Sequence, residues 1–160
     1  MIDKALLIKT VEDSLVGTDA YLVDVEISAD NRIVVEIDSE TGVDIDTCAA
    51  ITRRIEEVFD RDAEDYELEV GSAGITAPLK VRRQYERNVG NDVEVLTRDG
   101  RKLHGVLVEV KPGTDDRLVD FVVEVPVKVK EPGAKKSVIK QQPVELNSAD
   151  CKYVCYDLKF

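Results

Sequence analysis

The chain has 160 residues, 43% of them apolar and 34% charged. That suits one ordinary domain or two small ones and excludes a wholly disordered chain. No apolar run approaches the length of a membrane span. The opening MIDKALLIKTVEDSL lacks the basic start, apolar middle and small-residue cleavage site of a secretion signal, so a soluble cytoplasmic protein is expected. The net charge of −11 is unevenly placed: residues 1–77 hold 20 acidic and 6 basic side chains, whereas residues 78–160 hold 13 and 16. A half at −14 joined to a half at +3 reads as two domains with different partners, or as drift in surface composition.

In chain order, Ile2 to Leu15 reads as a helix, with Leu7, Ile8, Val11 and Leu15 at helical spacing and Gly17 as its stop. YLVDVEIS alternates, placing Tyr21, Val23, Val25 and Ile27 on one face of a strand. RIVVEID follows after a short turn, with Ile33, Val35 and Ile37 pointing one way, and the two strands form a hairpin. Asp44 is a good N-cap for a second helix whose stripe is Cys48, Ile51, Ile55 and Val58. YELEV is a third strand. The first half is therefore an α/β two-layer domain in the order helix–strand–strand–helix–strand, over residues 1–77.

Gly71, Ser72, Ala73 and Gly74 come next. This GSAG is no P-loop, since no Gly-Lys-Ser/Thr follows it. It fits the G-x-x-G form by which some modules clamp an RNA backbone, but Glu67 and Glu69 just before it would repel phosphate. PLKVRRQYERNVG then reads as a short linker helix over residues 78–90, entered at Pro78 and left at Gly90. From Asn91 only strands follow. DVEVLTR and KLHGVLVEVK join at Asp99-Gly100, a strong hairpin signal. LVDFVVEVPVKVK, VIKQQPVEL and KYVCYDLKF complete about five short strands over residues 91–160, with EPGAKK as a turn. That count in so short a span suggests a small barrel, and Gly105 inside a strand marks a sharp bend or a close backbone approach.

Little in the chain points to catalysis. His104 is the only histidine and reads as an exposed strand residue. Cys151 and Cys155 have C-x3-C spacing with no second pair, a poor match to a zinc site, and Cys48 lies on a helix stripe as a small core residue. An odd cysteine count suggests reduced thiols. The basic clusters are more informative. Lys80, Arg82, Arg83 and Arg87 fall in the linker helix; Lys128, Lys130, Lys135, Lys136 and Lys140 surround the last barrel turn. Both suit contact with phosphates, and the lysines equally suit a solvated surface loop.

Three quoted segments resemble one family. EIDSETGVDIDTC is similar to a strand ending in Ile-Asp, then Gly-Val, then an Asp and a Cys opening a helix. LEVGSAGITAPL resembles a signature usually written Leu-Glu-Val-Ser-Ser-Pro-Gly-Leu, a variable residue, then Arg-Pro-Leu. QYERNVGNDVEV resembles the aromatic–Arg–Gly segment that leads into a barrel strand. In order and spacing these are the marks of the RimP family of ribosome maturation factors, over about Ile2 to Phe160. The resemblance implies that the α/β domain is followed by a C-terminal Sm-like, SH3-type all-β barrel, so that the whole chain is α+β, with KLHGVL as the Gly-x-Leu bend.

It also implies a non-catalytic factor with no cofactor, no small-molecule substrate and no membrane. Such a factor binds the free small (30S) ribosomal subunit, meaning 16S rRNA and small-subunit ribosomal proteins, and promotes 16S rRNA maturation. A monomer is expected. The alternative is an Sm-like RNA-binding or regulatory module unconnected with ribosomes. Of the signature loop, Gly71, Ser72, Gly74, Pro78 and Leu79 carry over. Ala73 and Ala77 stand where the family usually has Pro and Arg, so Ala77 is not carried over as a contact. Gly71 and Gly74 are expected to allow tight backbone geometry there.

Overall fold

A computed structural model of the protein describes residues 1–133 and 135–158. The chain is α+β and forms two compact units, Met1–Gly74 and Ile75–Phe160. Ala134 in the EPGAKK turn, and Lys159 and Phe160 at the end of the last strand reading, lie outside the described residues.

In the first unit, helix α1 (Lys4–Leu15) starts two residues later than its periodicity suggests. Asp3 is the N-cap, its carboxylate accepting from the Leu6 N–H at 3.2 Å. Strands β1 (Ala20–Ile27) and β2 (Arg32–Ser39) form the expected antiparallel hairpin. Helix α2 (Ile45–Val58) is capped by Asp44, which accepts from the Thr47 N–H at 2.7 Å. Strand β3 (Glu67–Ser72) then pairs parallel to β2, giving the order β1-β2-β3. A parallel neighbour needs a crossover, and α2 provides it. Leu7, Val11, Ile33, Val35, Ile37, Ile51 and Ile55 form the core beneath the two helices.

Two details differ from the periodic reading. In β1 the register shifts between Leu22 and Asp24, with the buried Val23 at the irregularity. The bulge moves the side chains beyond it to the opposite face. Leu22 and Val25 therefore sit opposite the core residues Ile37 and Val35, whereas Tyr21 sits opposite Asp38. In α2 the buried stripe is only Ile51 and Ile55; Cys48 is half-buried and Val58 is exposed.

The second unit opens with helix α3 (Arg82–Arg87), shorter than the 78–90 segment set apart in the sequence. Pro78 does not enter it. The Leu79 N–H donates to the Val154 carbonyl at 2.7 Å, which ties the chain to β8 before the helix begins. The buried Gln84 carboxamide reaches back and accepts from the N–H groups of Lys80 and Val81, at 2.7 and 3.2 Å. Tyr85 on this helix packs into the second core with Val93, Val95, Leu107, Phe121, Val123 and Val154, its ring centroid 5.2 Å from that of Phe121. The helix is thus part of the second unit's packing.

Five strands follow: β4 (Asp92–Thr97), β5 (Lys102–Val110), β6 (Asp120–Val129), β7 (Val138–Asn147) and β8 (Cys151–Tyr156). They pair antiparallel in the order β7-β6-β5-β4-β8, and among the described residues this ladder does not close into a barrel. β5 pairs with β4 over Lys102–Val106 and with β6 over Val106–Val110. The change of partner falls beside Gly105, where an added Cβ would lie 2.1 Å from the Glu124 carbonyl oxygen. Only glycine permits that approach. Beyond Glu124 the β6–β7 ladder has no third strand and continues as a two-stranded ribbon.

Candidate nucleic-acid interface

The ribbon runs from the pair Val125–Gln142 to the pair Val129–Val138, five residue pairs, or roughly 17 Å at strand rise. On the β6 side Val125, Val127 and Val129 alternate with Pro126 and Lys128, and on the β7 side Val138 and Ile139 are β-branched, residue types that favour strand pairing. Residues 125–142 hold Lys128, Lys130, Lys135, Lys136 and Lys140 against a single acid, Glu131. The segment therefore carries +4 in a chain that carries −11. Lys140 is paired with Glu131. Lys128, Lys130, Lys135 and Lys136 are exposed and have no carboxylate within ion-pair distance among the described residues.

Elsewhere basic side chains are mostly partnered. Arg32 meets Glu69, Arg54 meets Glu57, Arg61 meets Glu56 and Asp65, Arg101 meets Asp99, Lys102 meets Glu94, and Lys111 meets Glu145. These are surface pairs, each contributing at most about 1 kcal/mol.

The other basic candidates divide. Arg82 is only 9% exposed. Its guanidinium donates to the carbonyls of Lys111 (2.8 Å), Leu118 (2.8 Å) and, twice, Asp115 (3.2 and 3.1 Å). Four of the five N–H donors of this planar group are thus directed at the 111–118 loop, so Arg82 braces the unit and is withdrawn as an RNA contact. Lys80 is half-buried, while Arg83 and Arg87 are on the exposed side of α3.

In the signature loop, Gly71 is less special than its residue type suggests. Gly71 and Ser72 belong to β3, opposite Glu36 and Ile37. Gly71 has ordinary extended backbone, and an added Cβ would meet nothing within 4 Å. The tight geometry expected at Gly71 is not required. Ala73 continues the strand pattern, its N–H donating to the Ile37 carbonyl at 2.8 Å. Gly74 ends the first unit, Pro78 is exposed, and Leu79 packs against the second core.

One polar cluster escaped the sequence reading. Glu94 on β4, His104 on β5, Tyr153 on β8 and Asp157 just after β8 meet across three strands. Glu94 accepts from the Tyr153 hydroxyl at 2.6 Å, and His104 lies 3.6 Å from Glu94 and 3.1 Å from Asp157. The Tyr153 hydroxyl, with Lys102 and His104 nearby, holds the Glu94 carboxyl below its usual range; the same bond pushes the Tyr153 phenol up to about 12. Only the β4–β5 and β4–β8 registers bring these residues together, and strand alternation alone does not encode them. The thiols of Cys48, Cys151 and Cys155 are free and pushed up, mainly by burial. Among the described residues no group of three or more His, Cys, Asp or Glu side chains could hold a metal ion, and no helix is long and apolar enough to cross a membrane.

An α+β chain with a layered acidic unit and a lysine-bearing five-stranded unit defines a class that family comparison makes specific. The model of the RimP N-terminal domain matches residues 10–76. Proteins called ribosome maturation factor RimP from two strains of Porphyromonas gingivalis are 43% identical over 152 residues, 95% of this chain and 96% of theirs. The protein of that name from Flavobacterium psychrophilum is 32% identical over 124 residues, 78% of this chain and 77% of its own. The chain belongs to the RimP family of ribosome maturation factors.

Proposed function

We propose that this protein is a non-catalytic assembly factor for the small ribosomal subunit. It binds the free subunit or its precursors in the cytoplasm and promotes 16S rRNA maturation. The observation that carries this reading is end-to-end similarity, at 43% identity, to proteins named as ribosome maturation factors. A binding role is favoured by the direction of the shifted groups. Glu94 is lowered while Tyr153 and the three thiols are raised, all away from the near-neutral values that general acid–base work needs. A binder advances assembly by differential affinity for the productive rRNA conformation. The change of partner in β5 at Gly105 supports reading the second unit as Sm-like and SH3-type in its strand bend, although its ladder is open among the described residues, and contact with the subunit falls to its exposed basic side chains, including Arg83 and Arg87.

Sucrose-gradient fractionation of lysate tests the proposal. Co-sedimentation with free small subunits and not with joined ribosomes is expected, together with accumulation of 16S precursor in a deletion strain. A protein that stays at the top of a low-salt gradient, in cells whose 16S rRNA matures normally without it, would refute the reading.

A further inference from the structure

We propose that the β6–β7 ribbon is a phosphate-binding arm that lies along the backbone of double-helical RNA without reading its sequence. This deepens the reading of the protein as a subunit-binding factor and rests on it for the source of the RNA. Three observations converge. First, Lys128, Lys130, Lys135 and Lys136 are exposed and unpaired among the described residues, although the chain has 33 acidic side chains to 22 basic ones. In such a chain cations that stay unpaired mark a surface open to an outside anion. Second, the ribbon stands clear of the sheet, because β5 turns away to β4 at Gly105 and leaves five pairs of β6–β7 without a neighbour. Lys128 lies on β6 and Lys130 directly follows its last residue, Val129, so the two charges stand close together at the far end of the ribbon.

Third, the composition selects the partner's chemistry. Residues 125–142 contain no aromatic residue, so they offer no platform for stacking unpaired bases. They contain no arginine, so they offer no planar fork for base edges. Lysine is a mobile point charge, suited to phosphate. The deep, narrow major groove of A-form RNA keeps side chains from its bases, which leaves the backbone as the contact.

The arithmetic is direct. Four lysines neutralising four phosphates give a log–log salt slope of about −3.6. Affinity should then fall roughly a hundredfold between about 50 and 200 mM salt.

The test uses the full chain and a fluorescein-labelled RNA hairpin, titrated by anisotropy over that salt range. The variant K128Q/K130Q/K135Q/K136Q should lose most of the affinity at low salt, and its slope should flatten by about three to four. The corresponding Lys→Arg variant should restore both, and a hairpin of scrambled sequence should bind the parent protein equally well. Thermal unfolding of each variant checks the fold, and light scattering sets a protein concentration at which each variant is monodisperse. Unchanged affinity and slope in the glutamine variant would overturn the arm. So would a tenfold preference between the two hairpins.

If the glutamine variant keeps its hairpin affinity but leaves the subunit peak in gradients, the arm meets an acidic protein surface and the RNA assignment is overturned. The two proposals fail separately. A parent protein that sediments with subunits while the arm variant binds RNA normally retains the assembly role and loses the arm. A parent protein that binds hairpins through the arm yet never meets subunits does the reverse.

Discussion

Replacing Arg82 by alanine tests whether that side chain braces the fold or touches a ligand. The guanidinium is nearly buried and makes four hydrogen bonds to three carbonyls, those of Lys111, Asp115 and Leu118. Hydrogen bonds to a charged group contribute about 1.5–3 kcal/mol each where water is excluded. The loop from Pro112 to Leu118 is exposed, so its carbonyls recover water when the side chain is removed. That recovery brings the expected loss down to about 2–4 kcal/mol in total. For a unit of this size the loss corresponds to a fall in melting temperature of roughly 10–25 °C. Scanning calorimetry of the full chain should show the loss in the transition of the second unit, with the first little changed. Arg82→Lys should fall between, since one ammonium cannot span all three carbonyls. The slope of RNA affinity against salt should not change in folded Arg82→Ala at low temperature. An unchanged melting temperature, or a flattened salt slope with an intact transition, would refute the argument and return Arg82 to the candidate contacts.

Other changes have expected outcomes of either sign. Gly105→Ala should cost at least about 3 kcal/mol, because its Cβ would meet backbone 2.1 Å away; a urea midpoint within error of the parent would contradict the close approach. Gly71→Ala should leave stability unchanged or raise it by up to about 1 kcal/mol, with gradient co-sedimentation intact; lost subunit binding would restore a special role to the signature loop. Tyr153→Phe should lower stability near neutral pH. Because the Glu94 pKa is depressed in the folded state, that contribution is present above the ordinary value of 4.5 and is lost as pH falls through the lowered one. Because the Tyr153 pKa is raised, its share is present below 10 and is lost as pH rises through about 12. The gap between parent and variant stabilities, measured by urea unfolding, should therefore shrink as pH falls from about 4.5 through the lowered Glu94 value; a gap that widens in acid would show the sign to be wrong.

The elements were legible where one face meets a core and one signal dominates. Asp44 before its helix, the alternation of Ile33, Val35 and Ile37, and the Asp99-Gly100 turn all act locally, and the structure has each of them. Long-range facts were less accessible. That β3 pairs parallel to β2 depends on where α2 returns the chain. The bulge at Val23 leaves no compositional mark, so a strict period-two reading put Tyr21 on the wrong face. Among the basic residues, sequence proximity grouped Arg82 with Arg83 and Arg87. On a helix consecutive residues point about 100° apart, and Arg82 turns inward to the 111–118 loop while Arg83 and Arg87 lie on the exposed side. The lysines of the ribbon could be found because nothing buried competes for them. The meeting of Glu94, His104 and Tyr153 could not, because it depends on the registers of two strand pairs.

Strand β7 forms an outer edge of the five-stranded sheet, ten residues long and exposed along most of its length. An edge of that length, with Val138 and Ile139 uncovered, is a template on which a second copy of the chain could add a strand, and then a third. Two features oppose such growth. Pro143 lacks the N–H that a new ladder would need, and the lysines of the ribbon place like charges wherever two copies align edge to edge. The charges assigned to RNA thus also guard the chain against polymerising with itself. Their neutralisation should bring a concentration-dependent tendency to aggregate, and bound RNA, by covering the ribbon, should replace that protection while the factor is engaged.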